Sequence, residues 1–153
     1  MYIVSACLLG KKCRYNGEDC FTPWVKQFAE RTDIIPLCPE NLGGLKTPRR
    51  PIEYEVGKKI YLDITGKDCT EEIRRGAEKA LLIAKETAVL KNKVIKGAIL
   101  KSKSPSCGKD LIYDGSFKGI LTNGRGEFAR LVEEEGIKII TEKDGLKSFE
   151  EDF

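Results

Sequence analysis

Four short apolar runs, each closed by a turn and followed by residues at helical spacing, most constrain what this chain can fold into. Tyr2–Ala6, Asp33–Leu37, Gly97–Leu100 and Ile137–Ile140 are too short for buried helices and read as strands. Thr22 stands at the cap of a helix with Pro23 in its first turn and Trp24, Val25, Phe28 and Ala29 at helical spacing. Thr70 opens the longest helical pattern, reaching about Asn92, with Glu71 and Glu72 in its first turn and Ile73, Ala77, Ala80, Leu81 and Ala84 along one face. A helix from Gly126 to Glu135 stops at Gly136, and a terminal helix is expected after the fourth strand. Strands that alternate with helices imply a parallel sheet covered on both faces through right-handed crossovers. The expected fold is therefore α/β, a Rossmann-like or flavodoxin-like three-layer sandwich with a mostly parallel sheet. Ile52–Leu62 alternates around Gly57 as an inserted β-hairpin placed to cover one edge of a site. Pro36 puts the second strand at an edge or near its end, Cys38–Gly44 reads as a turn, and a long polar loop runs to Arg125. A length of 153 residues fits one domain, 1–153.

Composition removes whole classes of chemistry. The chain has no histidine, so Ser-His, Cys-His and His-ligated metal mechanisms are excluded and any metal must be held by sulfur or oxygen. A net charge of +3 leaves a tRNA partner open without indicating one. The longest apolar run, Ala80–Ala84, is far below the ~18 residues of a membrane span, so no membrane partner is expected. Six cysteines without a secretory signal point to thiols kept reduced, and the expected location is the cytoplasm.

The cysteines gain meaning from the strands. Cys7 lies just past the first strand, Cys38 just past the second, and Cys107 in the loop after the third. Parallel strands put all three at one edge, where α/β folds bind ligands. Three unrelated core cysteines have no reason to share that placement. Cys20 and Cys69 lack it and read as small buried hydrophobes, while Cys13 sits in a polar loop between Cys7 and Cys20. Three thiolates without histidine suit an iron-sulfur cluster with one open iron better than a closed zinc site. A fourth thiolate from Cys13 would close such a cluster. Basic residues (Lys11, Lys12 and Arg14; Lys46, Arg49 and Arg50; Lys101, Lys103 and Lys109) occupy the same loops, where they favour thiolates or remain solvated surface charge.

These loops also carry long motifs: Val4-Ser5-Ala6-Cys7-Leu8-Leu9-Gly10 with Arg14-Tyr15-Asn16-Gly17, Cys38-Pro39-Glu40 with Gly43 to Arg49, and Leu100 to Gly108 with Tyr113-Asp114-Gly115. Together they resemble the domain-of-unknown-function 523 family, which includes the thiouracil desulfidases. The resemblance implies a 4Fe-4S cofactor on Cys7, Cys38 and Cys107, whose open iron takes the sulfur of a thiolated pyrimidine. It further implies catalytic roles for Glu40 and Ser104, with Ser102 and Ser106 as rivals for the serine. Glu40 would move protons, in a setting expected to be partly apolar from Leu37 and Leu42, unless it serves only to pair with Arg49. The implied activity is a non-redox, hydrolytic desulfuration of thiouracil or a related nucleoside or nucleotide. A sulfur carrier binding sulfide, and a non-catalytic cluster-binding module, are the alternatives. Asn16 stands where the family usually has Asp, and Cys13, Cys20 and Cys69 are additional to its pattern.

Overall fold

The computed structural model describes residues 1–145 and 147; the expected terminal helix lies outside this description. In chain order the elements are β1 (Tyr2–Ser5), α1 (Pro23–Ala29), β2 (Ile34–Leu37), α2 (Pro39–Leu42), β3 (Ile52–Glu55), β4 (Ile60–Asp63), α3 (Thr70–Leu90), β5 (Gly97–Leu100), β6 (Leu111–Tyr113), β7 (Leu121–Asn123), α4 (Glu127–Glu134) and β8 (Ile139–Thr141). A 3-10 turn, Ala6–Leu9, follows β1 directly.

The central sheet has the order β2-β1-β5-β8, and every pair in it is parallel. Its pleat sorts alternate side chains into two cores. Ile3, Ile35, Leu37, Ala98, Leu100 and Ile139 pack with Ala77, Ala80 and Ala84 of α3 and Phe128, Ala129 and Val132 of α4. Val4, Ile99 and Ile140 point the other way and meet Val25, Trp24 and Phe28 of α1. Helices therefore cover both faces, as the strand-helix rhythm predicts. Alanine spacing on α3 brings that helix close to the sheet, and each fully buried Ile or Leu beneath it contributes about 1.5–3 kcal/mol.

The chain leaves β1 for β2 on one side, then returns over β1 to β5 on the other. Strand order thus reverses between β1 and β5, which opens a crevice at their carboxyl ends. β2 is an edge strand, so Pro36 forfeits no ladder bond on its outer side.

Two local readings change. Cys38–Gly44 is not a simple turn, because Pro39–Leu42 forms the short helix α2 with Pro39 in its first turn. Tertiary contact makes this turn of helix possible. A Cβ on Gly43 would lie 1.9 Å from the Glu72 carbonyl oxygen, and one on Gly76 would lie 1.9 Å from that of Pro39. The two glycines let α2 and α3 touch backbone to backbone, and Arg75 ties the contact by donating to the Gly43 carbonyl at 2.7 Å. The long polar loop before Arg125 also contains structure, the antiparallel pair β6 and β7. Its strands have three residues each, below the length at which alternation is readable.

The inserted hairpin β3–β4 forms as expected. Glu53 joins it to the β6–β7 hairpin, its Oε1 accepting from the amides of Gly115 at 3.0 Å and Phe117 at 3.2 Å.

Candidate functional site

A cavity of about 340 Å³ opens at the carboxyl edge of the sheet, beside the reversal of strand order. Cys7, Cys13, Cys38 and Cys107 all line it, together with Glu40, Ser102 and Ser104. Ile52 and Glu53 of the inserted hairpin and Tyr113 of the second hairpin form part of its wall.

Each thiol is placed by backbone structure. Cys7 sits inside the 3-10 turn after β1, its carbonyl accepting from the amides of Gly10 and Cys20. Cys38 is the residue before α2. Cys107 belongs to the loop after β5, which is fixed from beneath by α4: the amides of Phe128 and Ala129 both donate to the Ser106 carbonyl, at 2.9 and 3.1 Å. Gly126 permits that approach, since a Cβ there would stand 2.3 Å from the Ser106 carbonyl carbon. Cys13 is held through its carbonyl, which accepts from Arg49 NH1 at 3.1 Å, Thr47 Oγ1 at 3.3 Å and the Cys38 thiol at 3.9 Å.

All six cysteines are free. In the cavity three of the thiols, Cys13, Cys38 and Cys107, are raised. Burial pushes Cys107 up to about 12, against hydrogen bonds from the hydroxyls of Ser5 and Ser104. Contact with the Cys13 thiol, then burial, raises Cys38. At Cys13 the contact with Cys38 acts downward, but the contact with Cys7 and burial outweigh it and the thiol is raised.

This donor set fits an iron-sulfur centre. Thiolate sulfur is a soft ligand for iron, and a bound cationic iron would supply the charge compensation that burial denies these sulfurs. Among the described residues no three cysteine or carboxylate side chains converge as a single bound ion requires. A cluster distributes its thiolates over different irons, so it suits sulfurs that line a wall better than a mononuclear zinc does.

Glu40 stands in the first turn of α2 with its carboxylate in the cavity wall. Arg49 contacts its Oε1 through NH2 at 3.3 Å and Nε at 3.4 Å, and both side chains are largely buried. The expected apolar setting is therefore corrected: Leu37 does line the cavity, but an ion pair dominates the surroundings of Glu40. The other oxygen, Oε2, has no hydrogen-bond partner among the described residues.

The three serines separate clearly. Ser104 Oγ lines the cavity and accepts from the amides of Ser106 at 3.1 Å and Cys107 at 3.0 Å. Ser102 also lines it, but its hydroxyl donates to Glu142 Oε2 at 3.0 Å while its amide donates to Oε1 at 2.7 Å. Ser106 is fully buried and lies outside the cavity wall.

The loop cations divide as well. Arg14, Arg49, Lys101 and Lys103 reach the cavity, whereas Lys11 and Lys12 are exposed. Arg49 pairs with Glu40, and Lys101 with Glu142 at 3.2 Å. Cys69 lies elsewhere, packed with Ile52, Tyr61 and Ile73, and Cys20 packs on the α1 side. Sequence reading assigned no role to Ser5 and Tyr113, although both stand in the long motifs, and missed Glu142, which belongs to none of them.

Residues 2–144 match the 2-thiouracil desulfurase family. The chain is 37% identical over 152 residues to the protein YbbK of Bacillus subtilis (strain 168), an alignment covering 94% of this chain and 97% of that protein. Among solved structures it resembles the 4Fe-4S-dependent thiouracil desulfidase TudS, with a TM-score of 0.79 and 36% identity over 93% of this chain and 90% of that one.

Proposed function

The chain belongs to the 2-thiouracil desulfurase family, and from that premise we propose that it is a 4Fe-4S-dependent desulfidase that hydrolyses the thiocarbonyl of a thiolated pyrimidine base, nucleoside or nucleotide. The observation that carries this reading is the meeting of three strand-end cysteines with Glu40 and Ser104 around one cavity. Cys7, Cys38 and Cys107 are the ligands in this proposal, one from each of three neighbouring strands. When bound, the cluster supplies a thiophilic Lewis acid with an open iron for the substrate's sulfur.

The net reaction replaces sulfur by oxygen: water attacks the ring carbon, hydrogen sulfide leaves, and no oxidation state changes. Glu40 removes a proton from the attacking water through the unengaged Oε2 and later passes it to the departing sulfur. Arg49, bound to Oε1, fixes the rotamer of that carboxylate. Ser104 has its lone pairs committed to the amides of Ser106 and Cys107 and only the weakly accepting Cys107 sulfur for its O–H, so it turns that O–H to developing negative charge more readily than a hydroxyl held by a carboxylate. Ser102 is the weaker candidate, with its O–H spent on Glu142. Arg14 and Lys103 add positive charge at the wall. Thiols kept reduced for cluster binding suit a reducing compartment such as the cytoplasm; among the described residues no helix is long and apolar enough to cross a membrane.

Anaerobic assembly followed by iron and sulfide quantitation tests the cofactor. Incubation with thiouracil then tests the reaction, through loss of its near-ultraviolet absorption and release of sulfide. A fully loaded protein that leaves thiouracil unchanged over many hours, and also leaves its nucleotide unchanged, would overturn the hydrolytic reading.

A further inference from the structure

Cys13 is the one thiol of the cavity that the proposed ligand set leaves unused. It is 3% exposed, yet it lines the cavity and does not merely fill an apolar core. It shares the cavity wall with Cys7 and Cys38, which come from different loops, and the Cys38 thiol donates to its carbonyl at 3.9 Å. Three donors clamp its carbonyl, so the loop presenting it is anchored to the same elements as Glu40. Arg49 makes this link directly, holding the Glu40 carboxylate and the Cys13 carbonyl with one guanidinium.

Resting on the three-cysteine cluster reading above, we propose that Cys13 is a displaceable fourth ligand, closing the open iron in the resting protein and yielding it to the substrate's sulfur. A thiolate competes for iron on equal chemical terms with the sulfur of a deprotonated thiopyrimidine, so the exchange trades one anionic sulfur for another. Its balance is simple. The proton lost from the substrate's ring nitrogen goes to the departing Cys13 thiolate, and no electron moves. Cys13 then rests as a thiol in the cavity wall beside Cys38. This device would protect an otherwise open iron from oxidants when no substrate is present, at no cost to the hydrolytic site when it is.

The test uses the full chain, loaded anaerobically, as wild type, Cys13→Ala and Cys13→Ser. Electron paramagnetic resonance of the dithionite-reduced cluster is recorded with and without saturating thiouracil, and iron is counted before and after a limited ferricyanide challenge. Without substrate, the wild-type spectrum should differ from that of Cys13→Ala; with thiouracil the two should become superimposable. Ferricyanide should remove iron and yield a three-iron signal readily from both variants and from substrate-free wild type far less. Identical substrate-free spectra and equal iron loss would overturn the proposal, as would a wild-type spectrum unchanged by thiouracil while that of Cys13→Ala responds, which would make Cys13 a permanent ligand. Cys13→Ser separates lost coordination from misfolding, since it keeps the side-chain volume nearly constant. If wild type binds no cluster, or if Cys7→Ala, Cys38→Ala and Cys107→Ala all keep their iron, the underlying ligand reading has failed, and that outcome is distinct from a cluster that forms and ignores Cys13.

Discussion

Cys107 and Cys69 are buried alike, at 5% and 4% exposure, and their thiols are both raised by desolvation. Their surroundings differ in kind. Cys69 precedes α3 among Ile52, Tyr61 and Ile73, and its thiol donates to the Lys67 carbonyl at 3.7 Å. Cys107 faces a cavity, with the hydroxyls of Ser5 and Ser104 and the acidic groups Glu40 and Cys38 acting on its sulfur. Burial alone makes a cysteine a small hydrophobe; burial beside further thiols and a route from solvent gives it the setting that the proposed ligand role needs. The contrast extends to the elements that present them, a packed hairpin-helix corner in one case and the crevice of a parallel sheet in the other.

The contrast breaks most sharply on iron content. Cys107→Ala, Cys7→Ala and Cys38→Ala should each lose stable cluster binding, while Cys69→Ala should keep a full complement of iron and sulfide. Equal retention across all four would erase the distinction between the two regions.

The next effect is on rate. Glu40→Gln should retain the cluster and lower thiouracil turnover by ~10²-fold, the scale of a lost acid-base group. A variant that lost its iron instead would move Glu40 from proton transfer to assembly.

Packing beneath the site comes third. Gly76→Ala forces a methyl against the Pro39 carbonyl, and should lower unfolding stability by about 2 kcal/mol in urea titration while displacing Glu40. A substitution at the equally helical but exposed Glu78 should do neither.

The smallest expected difference lies between the serines. Ser104→Ala removes an acceptor from two amides and should cost about 1 kcal/mol of stability together with part of the rate. Ser102→Ala, which loses its bond to Glu142, should show a comparable stability loss with turnover nearly intact. Equal turnover losses would remove the basis for preferring Ser104.

Much of this arrangement was legible from residue order. Short apolar runs such as Tyr2–Ser5 and the alanine-rich face of α3 define a parallel three-layer fold because local pattern and burial agree there. That fold in turn assigns Cys7, Cys38 and Cys107 to one edge, since parallel strands end together. The absence of histidine restricts the ligand chemistry to sulfur and oxygen with no coordinates at all. Tertiary structure alone decided the rest. The helix α2 exists because Gly43 and Gly76 let two backbones touch across more than thirty residues of chain, a contact with no local signature. Pairing of Glu40 with Arg49 was open from the sequence, but that the same guanidinium also holds the Cys13 carbonyl follows only once distant loops converge. Cys13 looks like any loop cysteine until folding sets it in one cavity wall with Cys7 and Cys38. Periodicity encodes which face of an element is buried, and only the closing of distant loops fixes which side chains then stand within bonding distance of one another.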